Sequence, residues 1–105
     1  MENYFFETDT PLSIKKIYIL VIYDIVENKR RLKFAKTLEG FGIRVQRSCF
    51  EAFVTEPLYL KLIHLIPGLI NNEEDSVRVY RIVGSGEVTV FGNSVDCKAE
   101  DVIII

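Results

Sequence analysis

The run Ile17-Tyr-Ile-Leu-Val-Ile-Tyr-Asp-Ile25 constrains the fold more than any other stretch of this chain. Eight of its nine residues are apolar or aromatic, and the exception is a carboxylate, Asp24. An unbroken series of β-branched and aromatic residues reads as a strand covered on both faces. Charged side chains are almost never fully buried unless they are paired or bound to a metal. Asp24 is therefore expected at a sheet edge, at an interface or in a site.

The 105 residues point to one domain, and small domains of this size often gain from dimerising. An apolar share of 49% is ordinary for a globular chain and too high for disorder. Cys49 and Cys97 lie far apart without metal-type spacing and are expected as buried free thiols. His64, the single histidine, is expected on a helix surface or in the core. Residues 1–16 start acidic and hold no apolar signal-peptide core, and the strand run is too short to span a bilayer. The expectation is a soluble cytoplasmic protein with no membrane partner.

A net charge of −2 conceals a polarised distribution. Lys29, Arg30, Arg31, Lys33, Lys36, Arg44 and Arg47 fall within nineteen residues that contain one acid, Glu39. Such a window can hold a polyanion while the chain as a whole stays soluble. The same residues could instead form a solvated helix face.

Residues 1–16 look irregular, with Tyr4, Phe5 and Phe6 available to pack on the domain or on a partner. After the first strand, Asn28 suits an N-cap. A helix is predicted from about Lys29 to Phe41, with Leu32, Phe34, Ala35, Leu38 and Phe41 on its apolar half. Lys29, Lys33 and Lys36 fall on the other half, and Gly40 and Gly42 are expected to end the helix. Ile43 to Val54 is extended, either one bent strand or, preferably, a hairpin turning at Arg47-Ser48. Thr55 should cap a second helix with Pro57 in its first turn and a break at Pro67-Gly68. Ser76 to Ile82 reads as a strand, Gly84-Ser-Gly86 and Gly92-Asn93 as turns, and Glu87–Phe91 and Asp101–Ile105 as short strands.

This order is that of an α+β ferredoxin-like split βαβ sandwich, βαββαβ, with extra C-terminal strands. The domain reading is an extension at 1–16, a core at 17–83 and C-terminal strands at 84–105. Both helices cover one sheet face. The first strand is apolar on both, so a second copy of the chain related by a two-fold axis is expected to cover the other.

No Ser–His or Cys–His nucleophile set and no zinc cluster can be built from these residues. What remains is Asp24 beside a basic helix. Mg²⁺ keeps several waters and takes one or two protein carboxylates plus phosphate oxygens. Two copies of Asp24 meeting across a two-fold axis could supply that pair, and the ion could then support phosphodiester cleavage. Alternatively, Asp24 caps the first helix or orders its loop.

The strand ending Tyr23-Asp24-Ile25, the basic helix, the segment Phe41-Gly-Ile-Arg-Val-Gln-Arg-Ser-Cys-Phe-Glu51 and the later Asp75-Ser-Val-Arg-Val-Tyr80 resemble the CRISPR-associated protein two family. The resemblance runs from about Ile17 to Ile82, and the second segment is its most specific part. The extension at 1–16 departs from the usual family start. The resemblance implies a ferredoxin-like homodimer whose C-terminal strand crosses to the partner's sheet. It implies a CRISPR integrase partner, a bridging role in spacer acquisition, and binding to DNA or RNA. It also implies Mg²⁺ (or Mn²⁺) shared between the two subunits at Asp24, with endonuclease activity in some members. Tyr23, Arg44, Gln46, Ser48 and Phe50 match family motifs and are implied to shape the interface or the site. The alternative is a regulatory domain of the same fold that binds a small ligand, a reading that leaves the basic window without a purpose.

Overall fold

The computed structural model describes residues 2–7 and 16–92. Its elements are β1 (Glu2–Glu7), β2 (Lys16–Asp24), α1 (Asn28–Leu38), β3 (Gly42–Gln46), β4 (Cys49–Thr55), α2 (Glu56–Leu65), a 3-10 turn (Ile66–Leu69), β5 (Ser76–Ile82) and β6 (Ser85–Val90). The main sheet is antiparallel in the order β3-β4-β2-β5, the arrangement expected for a ferredoxin-like fold.

Strand alternation divides β2 between two environments. Ile17, Ile19, Val21 and Tyr23 point to the helices and join Phe34, Ala35, Leu38, Phe50, Ala52, Val54, Leu62 and Ile66 in one core. Tyr18, Leu20, Ile22 and Asp24 point the other way. Tyr18 is buried there with Leu20, Ile43, Phe53, Val88 and Val90 around it, and its hydroxyl donates to the buried carboxylate of Glu51.

The second face is thus partly covered from within. β1 pairs antiparallel with β6, from Glu2 opposite Val90 to Glu7 opposite Ser85, and Val88 and Val90 of this ribbon lie on the sheet. This corrects the irregular reading for residues 2–7. An aromatic-rich hexapeptide is a good strand former, but its pairing partner lies some eighty residues away and leaves no local signature. The strand predicted at Glu87–Phe91 starts two residues earlier, and Gly84, at φ 106°, makes the bend into it. The predicted strand at Asp101–Ile105, Asn93 and Cys97 lie outside the described residues. Among the described residues the end of the second face nearer Asp24 stays open, with Ile22 exposed there.

Several local expectations shift for identifiable reasons. Glu27, not Asn28, is the N-cap of α1, its carboxylate accepting from the Arg30 N–H at 3.2 Å. The helix stops at Leu38, with Phe41 half-buried beyond it, and Leu32 is exposed rather than on the apolar face. Gly42 is needed for close approach rather than for ending the helix. A Cβ there would sit 2.1 Å from the Glu51 carbonyl oxygen and 2.7 Å from the Ala52 Cβ. The hairpin at Arg47-Ser48, the Thr55 cap position and the change of helix at Ile66 follow the sequence reading. Among the described residues no helix is long and apolar enough to cross a membrane.

Candidate nucleic-acid and metal site

Asp24 closes β2 opposite Ser76, the first residue of β5. The chain leaving it is fixed on both sides. Ile25 is buried in the core, and the Val26 N–H donates to Asp75 Oδ1 at 2.9 Å. The two structural roles that could have explained Asp24 are filled by other acids. Glu27 caps α1, and Asp75 orders the loop, accepting also from the Asn71 N–H at 2.8 Å. Among the described residues the exposed Asp24 carboxylate makes no hydrogen bond and no ion pair. It is free to accept from a ligand.

Tyr23 places the β3–β4 turn beside it. Its N–H donates to the Ser48 carbonyl at 3.0 Å and its hydroxyl to the Arg47 carbonyl at 3.2 Å. Its ring packs on Phe34 at 4.8 Å and on Phe50 at 6.1 Å, so the anchor is itself held by the core. Burial pushes the Tyr23 phenol up, and the nearby Arg44 guanidinium opposes that shift. A cavity of about 590 Å³ results, lined among others by Asp24, Arg31, Arg44, Arg47 and Ser48. Three arginines against one carboxylate favour an anion there.

The predicted basic set is sorted into different tasks. Arg44 and Arg47 are exposed at the cavity and have no ion-pair partner among the described residues. Arg31 lines the cavity but is largely committed, donating to the Ile25 carbonyl at 2.9 Å and to Asn28 Oδ1 at 2.7 Å. Arg30 is engaged by two acids. Its Nε meets Asp75 Oδ2 at 2.6 Å and its Nη2 meets Asp75 Oδ1 at 3.1 Å and Glu74 at 3.0 Å. This fork holds the Asp75 carboxyl well below the usual carboxylate range, helped by the Asn71 and Val26 N–H groups and opposed by burial. Lys29, Lys33 and Lys36 are exposed along α1, the first two beside a smaller hollow of about 310 Å³. Gln46 is exposed at the end of β3, and Phe50 is a core residue beneath Tyr23. Sequence reasoning missed the partner of Asp75. The only signal was an acid at the start of a strand, with no indication of which arginine reached it.

The other chemistry-bearing side chains stand apart. His64 lies exposed on α2, its Nδ1 2.8 Å from the Leu60 carbonyl oxygen. Cys49 is half-buried, and burial together with Glu51 pushes its thiol up, away from the reactive thiolate. Among the described residues no group of three His, Cys, Asp or Glu side chains could hold a metal. A hydrated divalent ion needs few protein ligands when phosphate oxygens complete its shell, so one unengaged carboxylate can suffice where a bound phosphate offsets the arginines. Asp24 is the residue that would hold it.

A family model described as CRISPR associated protein Cas2 matches residues 17–87, the main sheet, both helices and the start of β6. The chain belongs to the Cas2 family. It is 42% identical over 91 residues to a protein of Mycobacterium tuberculosis named CRISPR-associated endoribonuclease Cas2, covering 87% of this chain and 80% of that one. A crystal structure of a hypothetical protein from Thermus thermophilus superposes with a TM-score of 0.69 at 35% identity, over 76% of this chain and 95% of the other. The crystal structure of Streptococcus pyogenes Cas2 gives 0.58 at 33% identity, over 64% and 86%. Cas2 membership leaves the small-ligand regulatory reading without support. β1 lies in front of the region that the family model matches.

Proposed function

We propose that this chain is a metal-dependent phosphodiesterase and nucleic-acid-binding component of CRISPR spacer acquisition, working as a homodimer that bridges integrase subunits. One observation carries the reading: Asp24 is the acid at the end of β2 that no structural role consumes, and it lines one cavity with Arg44 and Arg47. The endoribonuclease name of the Mycobacterium tuberculosis relative supports cleavage of RNA; the basic surface serves DNA equally well. The open end of the second sheet face, where exposed Ile22 shares the Asp24 side of β2, supports docking of a second copy and approach of its Asp24.

In this reading Arg44 and Arg47 bind the strand's phosphates and Ser48 donates a further hydrogen bond. Tyr23 keeps their turn in place, and Asp24 ligates the ion. Bound Mg²⁺ or Mn²⁺ supplies Lewis-acid stabilisation and lowers the pKa of its water. Lys29, Lys33 and Lys36 extend the basic surface along α1 for the flanking strand or duplex. The test compares wild type with Asp24→Asn in Mg²⁺-dependent cleavage of RNA and DNA, and in integration with the partner integrase. Cleavage is expected to fall while integration persists. Cleavage that survives both the substitution and EDTA would overturn the catalytic part, and loss of neither activity on neutralising Arg44 and Arg47 would overturn the binding part.

A further inference from the structure

Leu32 is the residue of the Asp24 cavity that phosphate binding leaves unexplained. It is 60% exposed, on a helix whose other exposed positions are polar or charged. Helical spacing sets its place. Asn28, Arg31, Leu32 and Ala35 recur at steps of three and four residues and form one stripe along α1, which is the helix wall of the cavity. Lys29, Lys33 and Lys36 fall on the neighbouring stripe. The opposite wall is the β3–β4 hairpin, with Arg44 and Arg47. Arg44 stands opposite Phe50 in the register, and paired residues share a face, so Arg44 lies on the helix side of the sheet with Phe50. The helix wall is therefore on the side of the sheet away from the face assigned above to a second copy.

The two walls differ in chemistry. The hairpin wall is cationic. On the helix wall, Arg31 is drawn to the Ile25 carbonyl and to Asn28, away from the end of the stripe formed by Leu32 and Ala35. That end is apolar. A lone exposed leucine on an open surface is ordinary. This one lines a concave site that arginines also line, and a phosphate gains nothing from an alkyl group. A nucleotide has both an anionic part and a flat apolar one. Unpaired bases are held against apolar or aromatic side chains and guanidinium planes, whereas a base stacked within a duplex does not offer its face. The cavity, at about 590 Å³, has the size of sites for small organic ligands, more than a phosphate group needs.

We propose that Leu32 is the platform for one unpaired base of an RNA strand held at Asp24, so that this cavity takes single-stranded RNA in preference to a duplex. This rests on the function proposed above and names the form of substrate that the same site selects. Phosphates on Arg44 and Arg47 set the path of the strand along the hairpin. The base turns toward α1 and removes the exposed apolar surface of Leu32 from water. Leu32 thus contributes to affinity without contributing to its salt dependence.

The experiment uses the full chain and three labelled ligands: a short single-stranded RNA, its duplex, and an abasic strand of the same length. Affinity is measured across a salt series for wild type, Leu32→Ala, Leu32→Phe and Arg47→Ala, with thermal midpoint and oligomer mass alongside. Leu32→Ala is expected to weaken binding of the single strand about 5-fold with an unchanged salt slope, since no phosphate contact is lost. It should bind the duplex and the abasic strand as wild type does, and alanine at an exposed helix position keeps the helix intact. Leu32→Phe, a better stacking surface, should bind the single strand at least as tightly as wild type. Arg47→Ala should weaken all three ligands and lower the single-strand slope by about 0.7. Wild-type affinity of Leu32→Ala for the single strand would overturn the proposal. So would an equal loss on all three ligands, which marks a general fault in the fold or the dimer, or a Leu32→Phe that binds as weakly as Leu32→Ala. If Arg47→Ala also binds as wild type, the proposed function fails; if only Leu32→Ala does, this inference alone fails.

Discussion

Two aspartates stand at the same end of the main sheet and live in opposite circumstances. Asp75 is buried and saturated, with the Arg30 fork and the Val26 and Asn71 N–H groups on its oxygens. Asp24, beside it across the β2–β5 register, is exposed and has no partner among the described residues. The same side chain is a structural anchor in one position and an open ligand in the other. What separates them is whether the fold has already supplied the donors that a carboxylate needs.

The contrast breaks most visibly under substitution. Asp24→Asn should reduce metal-dependent cleavage by about 100-fold or more while leaving the thermal midpoint within about 2 °C, since exposed substitutions seldom change stability much. A large fall in midpoint would place Asp24 in the structural class with Asp75. Asp75→Asn or Arg30→Ala should do the converse, lowering the midpoint by on the order of 10 °C because a buried charge loses its partner. Cleavage per folded molecule should stay near wild type, as read by calorimetry and by assays well below the midpoint.

Acid sharpens the same comparison. The folded-state value of Asp75 lies below its unfolded value near 3.9, so its contribution is complete above that pH and fades as pH falls through the folded-state value. Wild type should therefore lose stability steeply below about pH 4, and Asp75→Asn should show a shallower acid limb in denaturant titrations. Equal slopes would mean that another carboxylate governs acid unfolding. The smallest expected effect belongs to Glu27→Ala, which removes the cap of α1. It should cost about 0.5–1 kcal/mol in urea denaturation, without touching metal dependence.

Much of this was legible in the chain because the signals were local. The apolar run announced β2, the basic window with its apolar spacing announced α1, and the Arg47-Ser48 hairpin followed from extended flanks. Asp24 stood out because a charge at the end of such a strand demands an explanation. What was not legible depended on distant partners. β1 pairs with β6 across most of the chain, and Arg30 finds Asp75 across 45 residues. Composition could count Arg30 among seven clustered cations, but only the folded chain shows that its charge is committed. Gly42 was misread for a related reason: the Glu51 and Ala52 atoms that exclude a side chain there come from the neighbouring strand.

The most direct test of the account is Mn²⁺ binding, followed by electron paramagnetic resonance, in wild type and Asp24→Asn. The account predicts saturable binding to wild type, with one ion per dimer, and its loss in Asp24→Asn with the dimer and thermal midpoint retained. Undiminished Mn²⁺ binding by a folded Asp24→Asn dimer would contradict it.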